Sequence, residues 1–472
     1  MISILLINPY GTEQSGFTSP PLGLLYIAGT LLKNGFEVQV VDGCIDGKEA
    51  VKTAIERLRP SFIGITCLTP GRVQAMEIAR MAKSIIPHTT VVMGGVHPTI
   101  MYKQLLETCQ ALDFAVLGEG EQTFLEIVQG KAPGTIPGLA FRDGKTVVTT
   151  EHRRYIDNLD DLPLPAWHLV DLRRYPPIDR GIFRGIDLKK VPRISVIFSR
   201  GCKGHCDFCS TWWIWKGWRH RSPKAMADEI EMLYRDYGVR HLCFADDSMT
   251  VDKQATITLC DEIIARNLNI VFHVTTRTDC VDKAVLQRLK QAGCYKIAFG
   301  IETGSSLLLE KMGKENDIKT SESAIALAKE AGILVTALII VGNVGETPES
   351  IQDTVSFLRR TRPDEVGCVG ELWILPGTQL YRHCKQKGFI DDSYWLSDKP
   401  YKSYTLEHTP KELARFQRLI LHYNSPVGFA LAGIRDFLRE CRASVRRIGR
   451  GQNSPPGPDA EPILADQVER KD

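Results

Sequence analysis

Three cysteines lie within eight residues of one another, directly after an apolar run, and they constrain this chain more than any other feature of the sequence. The apolar run covers residues 194–198, and Cys202, Cys206 and Cys209 follow it. Thiolates this close together can surround a single metal centre. A four-iron cluster held by three cysteines leaves one iron without a protein ligand, so that iron can bind a substrate. The spacing therefore indicates a catalytic iron–sulfur centre rather than a simple store of electrons.

Two other interpretations of the three cysteines stay open at this point. His205 could complete a zinc site, although structural zinc sites usually divide four ligands between two separated pairs and His205 is adjacent to Cys206. Alternatively, the three thiols could be buried independently, without a shared metal. The spacing favours the cluster over both.

The stretch resembles the C-x3-C-x2-C loop of radical S-adenosylmethionine (SAM) enzymes, in which an aromatic residue, here Phe208, precedes the last cysteine. The resemblance implies a 4Fe–4S cluster on Cys202, Cys206 and Cys209, with SAM chelated at the open iron by its amino and carboxylate groups. An electron from the cluster would cleave SAM to methionine and a 5′-deoxyadenosyl radical. The resemblance also implies a small-molecule substrate and an electron donor such as flavodoxin or ferredoxin.

Composition and charge narrow the range of partners and compartments. The chain has 472 residues, enough for two or three domains, and its 59 basic and 56 acidic side chains nearly balance. Bulk charge therefore gives no indication of a nucleic-acid partner. The 13 cysteines and the lack of signal-peptide features at the start predict a cytoplasmic protein. No apolar run reaches about 18 residues, so we expect at most peripheral contact with a membrane.

The first 130 residues alternate short apolar runs with amphipathic stretches of helical length. This alternation predicts an α/β fold with a doubly wound, Rossmann-like parallel sheet over residues 1–135. The five predicted strands are residues 2–7, 36–41, 62–66, 90–93 and 113–117. Ligands of such sheets bind beyond the carboxyl ends of the strands, so the residues after each run are candidates for binding.

Small residues follow most of these strands and would let a bulky ligand approach the backbone. The segments are Asn8-Pro9-Tyr10-Gly11, Cys67-Leu68-Thr69, Gly94-Gly95-Val96-His97-Pro98 and Gly118-Glu119-Gly120-Glu121. With Pro20-Pro21-Leu22-Gly23-Leu24 and Asp42, they resemble the cobalamin-binding domain that precedes the radical domain in class B radical SAM enzymes. The resemblance implies that cobalamin is held by Thr69, Gly94, Gly95, His97, Gly118, Glu119 and Gly120.

The first loop departs from the wider cobalamin pattern, because it has no Asp-x-His-x-x-Gly motif to supply a histidine ligand for cobalt. His97 lies in a different loop, and we expect it to pack near the nucleotide tail of the cofactor. The lower face of cobalt is therefore expected to lack a protein imidazole.

The pattern of residues 136–190 predicts a hairpin followed by a linker. Residues 139–142 and 145–148 flank Asp143-Gly144, which predicts a type I′ turn and a cap on the first domain. Prolines punctuate residues 158–167, so we expect a linker there, with ordered structure resuming near Val191.

A second alternation of strands and helices spans residues 191–380. The predicted strands are residues 194–198, 240–245, 270–275, 296–301, 335–341 and 366–374. Six such units predict a partial TIM-type barrel, whose catalytic groups lie at the carboxyl ends of the strands. The cysteine loop follows the first strand, as this arrangement requires.

By resemblance to the radical SAM family, polar and glycine residues after the other strands would bind SAM. The backbone around residues 245–248 would receive its amino group, residues 300 and 302 would approach its ribose, and residues 342–346 would lie along its adenine. The residues so assigned are Asp246, Asp247, Ser248, Gly300, Glu302, Gly342, Gly345 and Glu346. Arg277 is the candidate catalytic residue, although it could equally form a structural ion pair, and Glu346 could merely lead into a helix.

Two further features have alternative interpretations. Trp212, Trp213, Trp215 and Trp218 follow the cysteine loop, where they could shield radicals from water, wall a flat apolar substrate or pack in the core. Residues 381–450 are predicted to be helical and residues 451–472 to be a disordered tail. A basic amphipathic helix over residues 427–450 could touch an anionic membrane, deliver a hydrophobic substrate or pack on the barrel.

Together these features predict a cobalamin-dependent radical SAM enzyme, and the resemblance favours a methyltransferase acting on an unactivated carbon of a hydrophobic or natural-product substrate. One alternative resembles the anaerobic oxidative cyclase of magnesium-protoporphyrin monomethyl ester, which shares the layout and a tryptophan-rich stretch after the cysteine loop. The non-catalytic alternative is a cobalamin carrier or sensor with a redox cluster. A SAM-binding rim would be superfluous in such a sensor.

Replacing Cys202, Cys206 and Cys209 together with alanine is expected to remove the iron and sulfide of the cluster and to abolish SAM cleavage, because these thiolates are its only protein ligands. Iron and sulfide analysis, the absorption spectrum and 5′-deoxyadenosine formation measure the effect. A triple variant that keeps full iron content and the cluster absorption would show that the cluster is bound elsewhere.

Overall fold

The amino-terminal part of the chain forms a seven-stranded sheet, the first sheet. The computed structural model describes residues 3–11 and 18–424. The elements of this part are β1 (Ser3–Asn8), α1 (Leu22–Lys33), β2 (Glu37–Asp42), α2 (Gly43–Leu58), β3 (Phe62–Thr66), α3 (Arg72–Ile85), β4 (Thr90–Gly94), α4 (Val96–Thr108), β5 (Phe114–Val116), α5 (Glu121–Val128), β6 (Leu139–Asp143) and β7 (Thr146–Thr149). The spatial order is β2-β1-β3-β4-β5-β6-β7, with β1 to β5 parallel. The predicted parallel sheet is confirmed.

Helices cover both faces of the first sheet, because its strands direct apolar side chains alternately to either side. Leu5 and Ile7 of β1 join the core that contains residues of α2, α3 and α4. Ile4 and Leu6 join the core that contains residues of α1 and α5. The strand order reverses between β1 and β3, and sheets of this kind bind ligands in the crevice at such a switch point.

The predicted hairpin extends the first sheet, since β6 pairs antiparallel with β5 and β7 with β6. Asp143 pairs with Thr146, so Gly144 and Lys145 form the turn. Of these two, only Gly144 has a positive φ, at 58°. A type I′ turn needs positive φ at both central residues, so the predicted turn type was wrong, and the observed pattern is that of type II′.

The second part of the described chain forms a six-stranded parallel sheet, the second sheet. After the short hairpin β8 (Ile182–Phe183) and β9 (Ile186–Asp187), its elements are β10 (Arg193–Val196), β11 (Ser199–Gly201), α6 (Thr211–Trp215), β12 (Trp218–His220), α7 (Pro223–Asp236), β13 (His241–Phe244), α8 (Lys253–Ala265), β14 (Val271–Thr276), α9 (Lys283–Ala292), β15 (Cys294–Glu302), α10 (Ser306–Lys311), α11 (Ile318–Glu330), β16 (Leu334–Val341), α12 (Pro348–Thr361), β17 (Glu365–Glu371), α13 (Gln379–Gln386) and α14 (Pro410–Leu421). The spatial order β10-β13-β14-β15-β16-β17 follows the sequence order, as predicted for a partial barrel.

β11 and β12 form a separate antiparallel ribbon at the base of the cysteine loop. Ser199 pairs with His220, and Gly201 pairs with Trp218. Gly201 has φ of +92°, and a β-carbon there would collide with the carbonyl oxygen of Gly217, so only glycine fits. The ribbon thereby closes residues 202–217 into one loop, which we call the cluster loop. The sequence did not predict this ribbon, because strands of three residues leave no periodic signal.

Residues 151–190, which we call the connector, are ordered and packed, so the prediction that ordered structure resumes near Val191 was wrong. Trp167 is 1% exposed, and its indole N–H donates to Glu229 of α7 at 3.0 Å. The hydroxyl of Tyr175 donates to Asp42 of the first sheet at 2.7 Å. The prolines prevent long helices and strands here, but they do not prevent burial against elements that are distant in sequence.

The region after β17 is only partly helical within the described residues. α13 and α14 are separated by a segment that contains the short 3-10 helix Asp392–Leu396. Arg72 of α3 donates to the carbonyl oxygens of Trp395 at 2.8 Å and Ser397 at 2.7 Å, so this segment is tied to the first sheet.

Within residues 3–11 and 18–424, no helix has the length and apolar character to cross a membrane. The predicted basic helix over residues 427–450 and the tail over residues 451–472 lie outside the described residues.

A buried polar network lies at the amino-terminal end of the second sheet. Asp179 of the connector accepts hydrogen bonds from Arg193 and Lys296, each at 3.0 Å. Burial opposes ionisation of Asp179, but the hydrogen bond and charge of Lys296 and the charge of Arg193 lower its pKa to about 2. Ring nitrogens of His241 and His273 lie within 4.8 Å of the same carboxylate. Two cations already neutralise Asp179, so the network is electrostatically unfavourable for a metal ion and instead closes this end of the barrel.

The two histidines predict a loss of stability in acid. Burial lowers the pKa of His241 to about 4 and that of His273 to about 3, so both are neutral in the folded protein. An unfolded chain takes up protons on histidine below about pH 6.5, and folding must release them. The free energy of unfolding is therefore expected to fall below that pH by about 1.4 kcal/mol per pH unit for each such histidine.

Denaturant midpoints measured from neutral pH to about pH 5 test this expectation. His241→Gln should reduce the pH dependence, whereas His88→Gln, at an exposed position, should leave it unchanged. A His241→Gln variant with the full pH dependence of the parent would contradict the assignment.

Candidate functional site

The carboxyl ends of both sheets border one cavity of about 630 Å³, the main cavity. Six of the seven residues predicted to bind cobalamin line it: Thr69, Gly94, Gly95, Gly118, Glu119 and Gly120. The opposite side is formed by residues of β11, of the cluster loop and of the segment after β13: Ser199, Arg200, Ser210, Trp215, Ala245 and Asp247. The two edges at which the sequence places ligands therefore face each other across a shared space.

Backbone rather than side chains forms much of the first-sheet wall. Gly95 has φ of +108°, and a β-carbon there would lie 2.9 Å from the carbonyl oxygen of Cys67. Asn8 also lines the cavity, and its side-chain amide donates to Asp42 at 2.7 Å. Burial raises the pKa of Asp42, which also accepts the hydrogen bond from Tyr175. Asp42 therefore holds both Asn8, at the end of β1, and Tyr175 of the connector.

His97 is buried and, within the described part of the chain, does not line the main cavity. Its Nδ1 lies 3.2 Å from Oγ1 of Thr69. Burial lowers its pKa to about 3, so the ring is neutral, and Nε2 has no hydrogen-bond partner among the described residues. The observed role of His97 is to support Thr69 from the interior.

The cluster loop presents three partly buried thiols, those of Cys202, Cys206 and Cys209. The N–H of Cys209 donates to the carbonyl oxygen of Cys206 at 3.0 Å, and the N–H of Gly204 donates to Sγ of Cys202 at 3.4 Å. Burial raises the pKa of Cys206 to about 11 and also raises that of Cys209. Binding of a metal centre drives the loss of such protons, because the thiolate is the ligand.

The three thiols suit a multi-iron cluster better than a single zinc ion. A tetrahedral zinc ion with Zn–S bonds of about 2.3 Å brings its sulfurs to within about 3.8 Å of one another. In residues 3–11 and 18–424, the set of three ligand atoms within 4.8 Å of one another belongs to Asp179, His241 and His273 and not to the cysteines. His205, the fourth ligand of the zinc interpretation, packs against Trp212 with ring centroids 3.8 Å apart. The three sulfurs therefore do not all lie as close together as a single zinc ion requires.

The two acidic residues after β13 have different environments, since Asp246 is buried and Asp247 lines the main cavity. Asp246 is buried and accepts hydrogen bonds from the N–H groups of Phe198 at 3.2 Å and Ser199 at 2.5 Å, and from the Ser199 hydroxyl. Burial raises its pKa to about 7. Its carboxyl group therefore anchors the path from β10 to β11. Asp247 is exposed to the main cavity, whereas Ser248 is buried.

Lys314 links the two residues predicted to approach the ribose of SAM. Its Nζ donates to the carbonyl oxygen of Gly300 and to Oε1 of Glu302, both at 2.6 Å. Glu302 has φ of +65°, a left-handed conformation that costs about 1–3 kcal/mol in a residue other than glycine. Such strain at the carboxyl end of a barrel strand is typical of functional sites.

Arg277 forms the structural ion pair that the sequence allowed, and its catalytic role stays a prediction. Its Nε donates to Asp279 at 2.9 Å, and its Nη2 donates to the carbonyl oxygen of Glu315 at 2.6 Å. A β-carbon at Gly204 would collide with the guanidinium, so Arg277 also packs directly against the cluster loop. The ion pair therefore holds a positive charge near the thiols of Cys202 and Cys206.

The loop over residues 342–346 is held by its own glutamate. Glu346 accepts hydrogen bonds from the N–H groups of Gly342 and Asn343. Burial raises its pKa to about 7. The N–H of Gly345 donates to Glu407 at 2.5 Å. The carboxyl group of Glu346 is thus used within the loop, and the backbone N–H groups of Gly342, Asn343 and Gly345 all have protein partners.

A second cavity of about 260 Å³ lies beside the cluster loop. It is bordered by Phe208, Met312, Asn343, Val344 and Leu380. Sequence reasoning missed this cavity, because its walls come from four separate elements. The aromatic residue before the last cysteine was the one signal that pointed to it.

The four tryptophans after the cysteines have different environments. Trp215 lines the main cavity. Trp212 contacts His205, and Trp213 lies under the guanidinium of Arg382 at 4.2 Å. The indole N–H of Trp218 donates to the carbonyl oxygen of Ser248 at 2.9 Å. Of the four, Trp215 alone is placed to face a ligand in that cavity.

Sequence reasoning also missed a buried bridge between the two walls of the main cavity. Nη1 of Arg200 lies 2.7 Å from Glu119, and its Nη2 lies 2.6 Å from Glu121. Both glutamates belong to the Gly-Glu-Gly-Glu segment, in which Glu119 was predicted to hold cobalamin, and Arg200 belongs to the segment with the three cysteines. The sequence signal for this bridge was the presence of an arginine in one motif and two glutamates in the other.

Comparison with known proteins agrees with this arrangement. The model of the B12 binding domain matches residues 11–128, and that of the radical SAM superfamily matches residues 196–358. The anaerobic magnesium-protoporphyrin IX monomethyl ester cyclase of Rubrivivax gelatinosus is 33% identical over 380 residues, which cover 76% of this chain and 66% of the cyclase. An uncharacterized methyltransferase of Pyrococcus horikoshii is 30% identical over 410 residues, which cover 84% of this chain and 86% of that protein.

A solved structure shares the fold. The radical SAM methyltransferase TsrM from Kitasatospora setae, with its tryptophan substrate and a SAM analogue bound, aligns with a TM-score of 0.67 at 21% identity, covering 82% of this chain and 76% of TsrM. The chain therefore belongs to the radical SAM enzymes that carry a B12-binding domain. Its cofactors are a 4Fe–4S cluster, SAM and cobalamin, and its substrate is a small molecule.

Cobalamin bound to this enzyme is expected to lack a protein nitrogen on the lower face of cobalt. Residues 8–15 contain no histidine, and buried His97 does not line the main cavity among the described residues. Electron paramagnetic resonance of the cob(II)alamin form should show no superhyperfine splitting from an axial nitrogen, and His97→Gln should not change the spectrum. Nitrogen splitting that disappears in His97→Gln would contradict this expectation.

Proposed function

We propose that this enzyme transfers a methyl group to an unactivated carbon of a small hydrophobic molecule. The observation that carries the proposal is the main cavity, onto which the glycine-rich wall of the first sheet and the cluster loop both open. A methyl donor and a source of radicals can act on one carbon only when both are held near it. A cavity with one cofactor edge on each side meets that requirement.

We assign each cofactor to residues of the cluster loop or to residues at the carboxyl ends of the two sheets. The three cysteines of the cluster loop hold the cluster, and Asp247 with residues 300–302 and 342–346 forms the rim for SAM. The backbone at Gly95 and Gly118 faces cobalamin. When bound, SAM and cobalamin supply the radical that removes a hydrogen atom and the methyl group that replaces it, while the protein orients them and excludes water.

Apolar side chains around the main cavity support a hydrophobic substrate. Leu68 lines the first-sheet side and is 56% exposed. Ile197, Ile214 and Leu375 also line the cavity. Exposing a large apolar side chain to water is unfavourable, and an exposed apolar surface inside a cavity marks a place that a ligand covers.

A second candidate is oxidative cyclisation without methyl transfer. It is favoured by the 33% identity to the Rubrivivax cyclase over 380 residues. Both reactions begin with removal of a hydrogen atom from the substrate, so the same cavity serves either. They differ in whether the methyl group of SAM ends on the product.

The fate of the methyl group separates the two candidates. Protein purified without oxygen and reconstituted with iron, sulfide and cobalamin is given methyl-deuterated SAM, titanium(III) citrate and a panel of hydrophobic small molecules. Methyl transfer is expected to form S-adenosylhomocysteine and 5′-deoxyadenosine in equal amounts, with the deuterated methyl group on the product. Cyclisation would form 5′-deoxyadenosine and an unlabelled product without S-adenosylhomocysteine.

The alanine variant of the three cysteines is the control and should form no 5′-deoxyadenosine. Methylation of reduced cobalamin releases S-adenosylhomocysteine even when no substrate is present. A reconstituted enzyme that forms 5′-deoxyadenosine but never S-adenosylhomocysteine would therefore overturn the proposed methyl transfer.

A further inference from the structure

Arg200 joins the two walls of the main cavity, and we propose that it is the positioning residue that aligns the cobalamin site with the cluster site. It lies in β11, two residues before Cys202. Its Nη1 is 2.7 Å from Glu119 and its Nη2 is 2.6 Å from Glu121, both in the segment that follows β5. The inference rests on the proposed function, since methyl transfer is the reaction that requires both sites in one alignment.

The two ion pairs are shielded from water. The side chains of Arg200, Glu119 and Glu121 are 8%, 3% and 6% exposed. A buried charge that loses its partner is far less favourable than an exposed one, so these contacts hold their geometry. The guanidinium is a planar fork, and each arm meets a different carboxylate. A rotation of either wall relative to the other would break at least one contact.

On the first-sheet side, Glu119 is tied to the backbone that faces the cavity. It lies between Gly118 and Gly120, and all three residues line the cavity. Its carboxylate also lies 3.2 Å from Arg219 and accepts the N–H of Ile156 in the connector at 2.7 Å. A shift of Glu119 would therefore move the glycine wall.

On the other side, a single residue, Gly201, separates Arg200 from the cluster loop. Gly201 packs closely against the carbonyl group of Gly217, so that a β-carbon at position 201 would collide with it. The ring of Trp215, at the end of α6, lies 5.8 Å from the guanidinium, and that of Tyr26, in α1, lies 5.3 Å from it. A displacement of Arg200 would therefore be passed to the first cysteine of the cluster loop.

The position of Arg200 predicts that weakening its ion pairs impairs one reaction of the enzyme more than the other. Cleavage of SAM to 5′-deoxyadenosine uses the cluster loop and the rim of the second sheet. Methylation of cobalamin uses both walls: the sulfonium of SAM loses its methyl group, reduced cobalt supplies the electron pair for the new bond, and S-adenosylhomocysteine leaves. Misalignment should therefore slow S-adenosylhomocysteine formation more than 5′-deoxyadenosine formation.

The test compares Arg200→Lys, Glu119→Gln and Glu121→Gln with the parent holoenzyme, given SAM and titanium(III) citrate and no other substrate. The ratio of S-adenosylhomocysteine to 5′-deoxyadenosine is expected to fall by about tenfold or more in Arg200→Lys and Glu119→Gln, because small misplacements of reacting groups have large kinetic effects. Glu121→Gln leaves one arm of the bridge and should have a smaller effect. Arg153→Lys is the matched control, since Arg153 pairs with Glu126 away from the main cavity and should not change the ratio.

A second readout needs no turnover. Pulsed electron paramagnetic resonance of the holoenzyme measures the distance between cob(II)alamin and the reduced cluster. The distribution should be narrow in the parent and in Arg153→Lys, and shifted or broadened in Arg200→Lys and Glu119→Gln. If Arg200→Lys fails to fold, the two glutamate variants decide the question.

Two results would overturn the role of Arg200. One is an unchanged product ratio and an unchanged distance distribution in Arg200→Lys and Glu119→Gln. The other is an equal loss of both products, accompanied by a loss of thermal stability, while the distance distribution stays narrow. That result would show that the ion pairs of Arg200 are merely structural. A parent enzyme that forms no S-adenosylhomocysteine would refute the proposed methyl transfer, and the distance measurement would still test Arg200.

Discussion

All strands of a parallel sheet end at the same edge, and this protein holds two such edges on opposite sides of one cavity. Each sheet by itself would leave its ligand edge open to water. The facing arrangement depends on contacts between distant parts of the chain: the ion pairs of Arg200, the hydrogen bonds that Arg72 donates to residues 395 and 397, and the packing of the connector. The proposed chemistry requires this geometry, because we assign the two cofactor sites to opposite walls.

Local patterns in the sequence predicted the two sheets and the cluster loop. Strands such as β1 and β16 are short apolar runs, and their boundaries moved by only one or two residues between expectation and structure. Three cysteines within one loop need no information from elsewhere in the chain to be proposed as ligands of one centre. The glycines at positions 94, 95, 118 and 120, which were predicted to hold cobalamin, line the main cavity, and a glycine at a strand end can be recognised from the local sequence.

Polar side chains were harder to assign, since their partners are distant in sequence. Asp246 and Glu346 both looked like ligands of SAM, yet each carboxyl group accepts hydrogen bonds from backbone N–H groups, and burial raises both pKa values to about 7. The donors to Asp246 lie nearly fifty residues earlier, at Phe198 and Ser199. Trp167 was assigned to a linker for the same reason. Its partner Glu229 lies in α7, and the residues around Trp167 in the sequence do not indicate this contact.

The connector makes the two halves of this enzyme difficult to exchange with those of a relative. Trp167 of the connector contacts α7, and Tyr175 contacts Asp42. A cut anywhere in residues 151–190 would therefore separate at least one of these buried aromatic side chains from its partner. A chimera would have to keep the connector, the site on α7 that receives Trp167 and the acidic end of β2 as a single inherited unit. A segment that is exchanged between related enzymes must therefore be larger than either sheet. It must include the connector together with the residues that the connector contacts.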